Sequence, residues 1–180
     1  MRPFKYEQQD LNDYNIPFYS RIGLLSVRFS EIESLVSHII EKLINSDSDM
    51  ISYLLIENNV LDKNLTILQQ INNQRYFEEE KISKIISEIK QLKNIRNLFI
   101  HGVWSDVENK DGKAYMSVAN HKWVKQETPK WSNGKWLSRY SSTKLTLKNL
   151  DSNIKQADKI LVDLKKIWEV LDEEGENAFI

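Results

Sequence analysis

At 180 residues, 41% hydrophobic and 28% charged, the chain has the size and balance of one soluble globular domain. Its formal charge of -1 excludes a uniformly basic, coat-like nucleic-acid binder and leaves room only for a local basic patch. The absence of cysteine excludes disulfides, thiolate metal sites and a cysteine nucleophile.

The first fifteen residues are polar and carry no hydrophobic signal core, and no apolar run approaches the ~20 residues of a membrane helix. A cytoplasmic protein with no membrane partner is therefore expected. Pro17 suits a first helical turn. A helix follows over about 17–43, with the seam Ile22, Leu25, Phe29, Ile32, Val36, Ile39 and Leu43 in steps of three and four. Glu33 falls at the edge of that seam, either as a boundary residue with its carboxylate in water or facing inward. His38 points away from the seam and reads as a solvated surface residue.

Asn45, Ser46, Asp47, Ser48 and Asp49 supply N-cap chemistry for a second helix that reaches about 58. A third, short segment covers 64–72. Glu78, Glu79 and Glu80 then place acid where a helix N-terminus favours it. The long helix they open has apolar positions Ile82, Ile85, Ile89, Leu92, Phe99 and Val103. Arg96 occupies the remaining slot of that seam, where a guanidinium is costly unless it is paired or lines a cleft. His101 and Gly102 close the helix, with Gly102 expected as a left-handed C′ residue.

Beyond Gly102 the period changes. Residues 103–107, 114–118 and 136–140 read as short strands, with turns at 109–112 and 132–134. From His121 to Lys148 there are seven Lys or Arg against Glu127 alone, a net of +6, interleaved with Trp123, Trp131, Trp136 and Tyr140. Lysines among aromatics can hold phosphates and stack on unpaired bases. Trp104, Lys122, Trp123, Lys125, Lys135, Trp136 and Arg139 are the candidate RNA-binding residues. The competing reading is a β cap on the helices with the lysines as its solvated face. A last helix is expected over about 147–171, with the seam Leu150, Ile154, Ala157, Leu161, Leu164, Trp168 and Leu171.

At Arg96-Asn97-Leu98-Phe99-Ile100-His101-Gly102 the chain resembles the HEPN superfamily, whose signature is an arginine, often followed by asparagine, with a histidine after four to six residues. The resemblance covers about 17–102 and 147–171 and leaves 103–146 as an insert within a single domain. It implies a mostly α, up-and-down helical bundle with a small β-rich insert before the last long helix. It also implies a homodimer with a composite active site, no cofactor, and metal-independent endoribonuclease activity in a toxin–antitoxin or phage-defence system. An antitoxin or defence-system protein would then be a further partner beside RNA. In some HEPN toxins a tyrosine two residues after the motif histidine is modified by a partner enzyme; Val103 stands there in this chain, so that mode of control is not expected.

These residue types suit that chemistry. Metal-free RNA cleavage needs a base for the ribose 2′-OH and an acid for the leaving 5′-oxygen, and histidine can be either near neutral pH. A guanidinium can hold two oxygens of the charged phosphorane. On this reading Arg96, Asn97 and His101 are catalytic and Glu33 supports Arg96 as its ion-pair partner. Asn97 shares a helical face with His101, but Arg96 lies about 140° round from it on an ideal helix. Either the last turn unwinds near Gly102 or the site is shared between two subunits. The spread of Ile95, Leu98 and Ile100 around the helix favours a partner surface. The alternatives are a silent HEPN module serving dimerisation or RNA docking, and a nucleotide-binding module that breaks no bond. No cluster of His, Asp and Glu has metal-ligand spacing, so no metal is expected.

Overall fold

The structure is a computed structural model that describes residues 15–44, 56, 59–110, 113–125 and 136–174; of 110, 120–125, 136–140 and 173–174 it describes the backbone alone. The helix expected between 45 and 58, the turn at 132–134 and Lys135 lie outside the described residues. The described chain is mostly helical, with a small antiparallel sheet before the last helix. In order come α1 (Ile16–Ile44), α2 (Leu61–Arg75), α3 (Glu79–His101), β1 (Val103–Lys110), β2 (Lys113–Lys125), β3 (Trp136–Thr146) and α4 (Leu147–Glu174). No helix among the described residues is long and apolar enough to cross a membrane.

The chain divides into two compact units, one comprising Leu24–Asn97 with the residues from Ser152 on, the other the residues up to Gly23 with Leu98–Asp151.

The first unit is helical. The α1 seam is buried as its periodicity demands, with Ile32, Val36, Ile39 and Leu43 at zero exposure, and α3 contributes Ile82, Ile89 and Leu92. Full burial of each such side chain is worth about 1.5–3 kcal/mol, so these rows hold the unit together. On α4, Ile160 and Ile167 are buried beside the expected Ala157, Leu161, Leu164 and Leu171. The α4 stripe is thus wider than a strict seam, as befits a helix packed on more than one neighbour. Arg28 meets Asp158 at 2.8 Å and Lys42 meets Asp172 at 2.5 Å. Both partners advance together along their helices, so α1 and α4 run parallel. The pairs Lys93–Asp62 and Ser83–Gln69 advance in opposite directions, so α2 and α3 are antiparallel. These ion pairs are partly exposed and each adds about 0–1 kcal/mol; they report direction more than strength.

Tyr76 ends α2 in the left-handed conformation, φ 57°, and its N–H donates to Asn72 O at 2.8 Å. The Asn72 side chain itself is fully buried, and neither its Nδ2 nor its Oδ1 has a hydrogen-bond partner among the described residues. An unsatisfied buried polar group costs about 1–3 kcal/mol. Asn72→Leu, which keeps the branched skeleton of the side chain and removes both polar atoms, is therefore expected to raise the thermal midpoint, at about 2–4 °C per kcal/mol for a chain of this size. A lower midpoint by calorimetry would show that the amide has a partner in solution.

The second unit is the sheet with the chain that closes it. Strand order is β1-β2-β3, antiparallel throughout. The strands run longer than the expected 103–107, 114–118 and 136–140, because pairing continues to Lys110↔Lys113 and from Tyr115↔Thr146 to Lys125↔Trp136. Phe18, Phe99, Met116, Val118, Leu145 and Leu150 are buried here. Register shifts between Trp104 and Val107. The irregularity is a β-bulge whose polar groups are met locally: Ser105 Oγ accepts from Ser117 N at 3.0 Å, and Asn15 Oδ1 from Val107 N at 3.4 Å. Thr146 and Asn149 form a reciprocal cap at the start of α4. Asn149 N donates to Thr146 Oγ1 at 3.3 Å and Thr146 N to Asn149 Oδ1 at 2.9 Å, a capping box with Asn in the usual Glu position. Arg21 Nε donates to Asp151 Oδ1 at 2.6 Å just beyond it.

Candidate functional site

α3 carries the motif and belongs to both units, Arg96 and Asn97 closing its share of the first and His101 ending its share of the second. In the helical unit a cleft of about 690 Å³ opens beside Arg96. Its α1 wall is the row Phe29, Glu33, Ser37 and Glu41, at steps of four along one helix face. The stretch into α2 adds Asn59, Asp62 and Asn64, and α3 adds Lys93, Arg96 and Asn97. Hydrogen bonds tie this stretch together and to the α1 wall: Asn59 Nδ2 donates to Asn64 Oδ1 at 3.0 Å, and Asn64 Nδ2 to Ser37 Oγ at 3.5 Å.

Arg96 is half-buried. Its guanidinium lies 5.5 Å from the centre of the Phe29 ring, a cation–π contact. Nη1 donates to Asn97 Oδ1 at 3.2 Å, and Nε is buried without a hydrogen-bond partner among the described residues. The expected Glu33–Arg96 ion pair is absent among the described residues: both side chains line the cleft, yet they do not come within salt-bridge distance. The aromatic ring and the neighbouring amide take over part of the carboxylate's role of orienting the guanidinium. The other cleft charges are engaged, Lys93 with Asp62 and Glu41 with His38 at 3.1 Å. His38 is exposed, as its position off the seam requires.

In the sheet unit His101 is exposed and is the last residue of α3. The helix does not unwind before it, since Gly102 N still donates to Leu98 O at 2.9 Å. Of the two arrangements open from sequence, the frayed last turn is therefore not adopted. Gly102 also departs from expectation. Its backbone is not left-handed; a side chain is excluded because a Cβ there would lie 2.3 Å from Val118 Cγ2 and 2.4 Å from Leu98 O. Val103, the last position of the expected seam, lies on β1 and is 72% exposed, because the helix ends two residues earlier.

Trp104, a candidate RNA-binding residue, turns back onto the helix end. Its Nε1 donates to Phe99 O at 2.9 Å and its ring sits 5.4 Å from the Phe99 ring. That N–H satisfies one of the carbonyls a helix C-terminus leaves open. Of the other candidates, all but Lys135 fall on β2 and β3, with Lys122 opposite Arg139, Trp123 opposite Ser138 and Lys125 opposite Trp136. This pairing gathers Lys122, Lys125 and Arg139 on the distal half of one hairpin. Lys144, nearer its base, holds its ammonium 4.5 Å from the Tyr115 ring.

Sequence reasoning had Arg96 and Glu33 at one level but missed the cleft. Its signal was the row Phe29, Glu33, Ser37 and Glu41, which places three polar groups in steps of four beside the apolar seam. Among the described residues no group of three or more His, Asp or Glu is placed to hold a metal ion. Compared with known proteins, the chain matches no family model, no curated protein and no solved structure.

Proposed function

We propose that the chain is a metal-independent endoribonuclease of the HEPN type, acting in a toxin–antitoxin or phage-defence setting. The observation that carries this reading is the state of Arg96. A half-buried guanidinium with no carboxylate partner among the described residues, aimed by Phe29 and Asn97 beside an open cleft, is kept for an anion that arrives from outside. A purely structural arginine at that level would have an acid beside it.

In the proposed reaction the ribose 2′-oxygen attacks phosphorus and its proton passes to one imidazole. The bond to the 5′-oxygen breaks, and that oxygen takes a proton from a second imidazole. The products are a 2′,3′-cyclic phosphate and a 5′-hydroxyl. Arg96 holds the phosphorane oxygens, and Asn97 orients the guanidinium. Arg96 and His101, five positions apart on an intact helix, diverge by about 140°. One chain's pair is therefore not aimed at one phosphate, which supports a homodimer with a composite site. The exposed Ile100 and Val103 flank His101 and suit such an interface.

The purified chain is expected to cleave single-stranded RNA at undiminished rate in excess EDTA. End-group analysis is expected to find 2′,3′-cyclic phosphate and 5′-hydroxyl termini. RNA binding without cleavage would overturn the enzyme reading in favour of a non-catalytic RNA-docking module.

A further inference from the structure

We infer that the cleft beside Arg96 is a nucleotide subsite that selects guanine, with Glu33 as the residue that reads the base. The inference rests on the ribonuclease reading for its substrate class, RNA, but on the cleft alone for its selectivity.

Lys93 is paired with Asp62, and the Glu41 carboxylate is hydrogen-bonded to the His38 ring. Arg96 and Glu33 line the same cleft with no ion-pair partner among the described residues. They have opposite sign and do not neutralise each other. A complementary ligand must therefore bring an anion for the guanidinium and hydrogen-bond donors for the carboxylate. A ribonucleotide brings both, its phosphate and its base edge. A volume of about 690 Å³ is in the range of small-molecule sites and holds a purine nucleotide.

The carboxylate decides among the bases. Ionised, Glu33 is an acceptor with two oxygens and no donor. Guanine alone presents two adjacent donors on its Watson–Crick edge, N1–H and the N2 amino group, and one carboxylate can take both. Adenine and cytosine offer one amino group beside an unprotonated ring nitrogen, which would face the second carboxylate oxygen and repel it. Uracil offers one N–H between two carbonyls. The cleft wall keeps its geometry without help from the ligand, through the Asn59–Asn64–Ser37 hydrogen bonds. The Ser37 hydroxyl in turn donates to the Glu33 main-chain oxygen at 3.2 Å. Pre-organisation of this kind lowers the cost of ordering a site on binding. The Arg96 guanidinium, held 5.5 Å from the centre of the Phe29 ring, stands at the cleft where a phosphate or a base would meet it.

The test is calorimetric titration of the full chain with 5′-GMP, 5′-AMP, 5′-CMP and 5′-UMP, read without any cleavage. Saturable binding of 5′-GMP about tenfold tighter than the other three is expected, the usual discrimination of one bidentate base contact. Glu33→Gln is expected to bring the four nucleotides within about threefold of one another, because an amide replaces one acceptor with a donor. Arg96→Ala is expected to weaken all four together. Circular dichroism confirms that each variant keeps its fold. Equal affinity for the four, no saturable binding of 5′-GMP, or an unchanged preference in Glu33→Gln would each overturn the subsite. A guanine preference in a chain that cleaves no RNA would uphold the subsite and overturn the ribonuclease reading. RNA cleavage with no base preference in the titration would do the reverse.

Discussion

His101→Ala is expected to lower the single-turnover rate of RNA cleavage by about 10²–10⁴-fold, the usual worth of a positioned general acid or base, while the thermal midpoint stays within about 4 °C of the parent. The second half of that expectation separates chemistry from structure. His101 is exposed and ends its helix, so its replacement opens no cavity. The loss of a cation near a helix C-terminus costs about 0.3–1 kcal/mol at most, and at about 2–4 °C per kcal/mol the shift is small. Arg96→Ala makes a useful contrast. It removes the cation–π contact with Phe29 and the hydrogen bond to Asn97 as well as the proposed phosphate ligand, so it is expected to lose stability and cleavage together. In a dimer with a composite site, mixing His101→Ala and Arg96→Ala chains would restore part of the cleavage through the sites whose residues are intact. Equal rates for His101→Ala and the parent would remove the proposed catalytic role outright.

What was legible in the sequence follows from how each signal is encoded. The α1 seam from Leu25 to Leu43 is written in residues three and four apart on one helix, and it is buried as written. The last helix was placed within three residues at its far end, yet Ile160 and Ile167 were left out of its core, because a seven-residue template admits only one stripe. Val103 was counted on the α3 seam because spacing alone cannot report that a helix has stopped. The stop is produced across the chain, by the pairing Val103↔Ala119 and Trp104↔Val118. The Thr146–Asn149 cap was visible in principle as Thr-Leu-Lys-Asn, but Asn stands where a capping box usually has Glu or Gln. At the candidate site, Arg96 was legible as a charge in an apolar slot. Its surroundings were not, since Phe29 on α1 and the stretch from Asn59 to Asn64 reach its cleft from two distant parts of the chain.

Gly102→Ala carries the largest expected loss of stability. Sequence suggests that this glycine serves a left-handed helix cap, in which case alanine would pay only a backbone penalty of about 1 kcal/mol. The structure assigns it a different duty. An added Cβ would stand 2.3 Å from Val118 Cγ2, 2.4 Å from Leu98 O and 3.3 Å from Ala119 O. Val118 is fully buried and paired with Trp104, so its side chain has no free space to enter. Leu98 O is main chain and already accepts the Gly102 N–H at 2.9 Å, so it cannot swing aside without breaking that bond. One methyl group therefore forces the end of α3 away from β2. Overpacking of this kind typically costs about 1–3 kcal/mol and sometimes more; with rigid backbone on one side the upper end is expected, a fall in thermal midpoint of roughly 6–12 °C. Val118→Ala added to Gly102→Ala removes the contact with Cγ2 and leaves that with Leu98 O. The double variant should accordingly lose less than the sum of the two single losses, a coupling that differential scanning calorimetry on the four proteins measures. A Gly102→Ala chain that melts with the parent, or a double variant with strictly additive loss, would show that the glycine is not held there by this close approach.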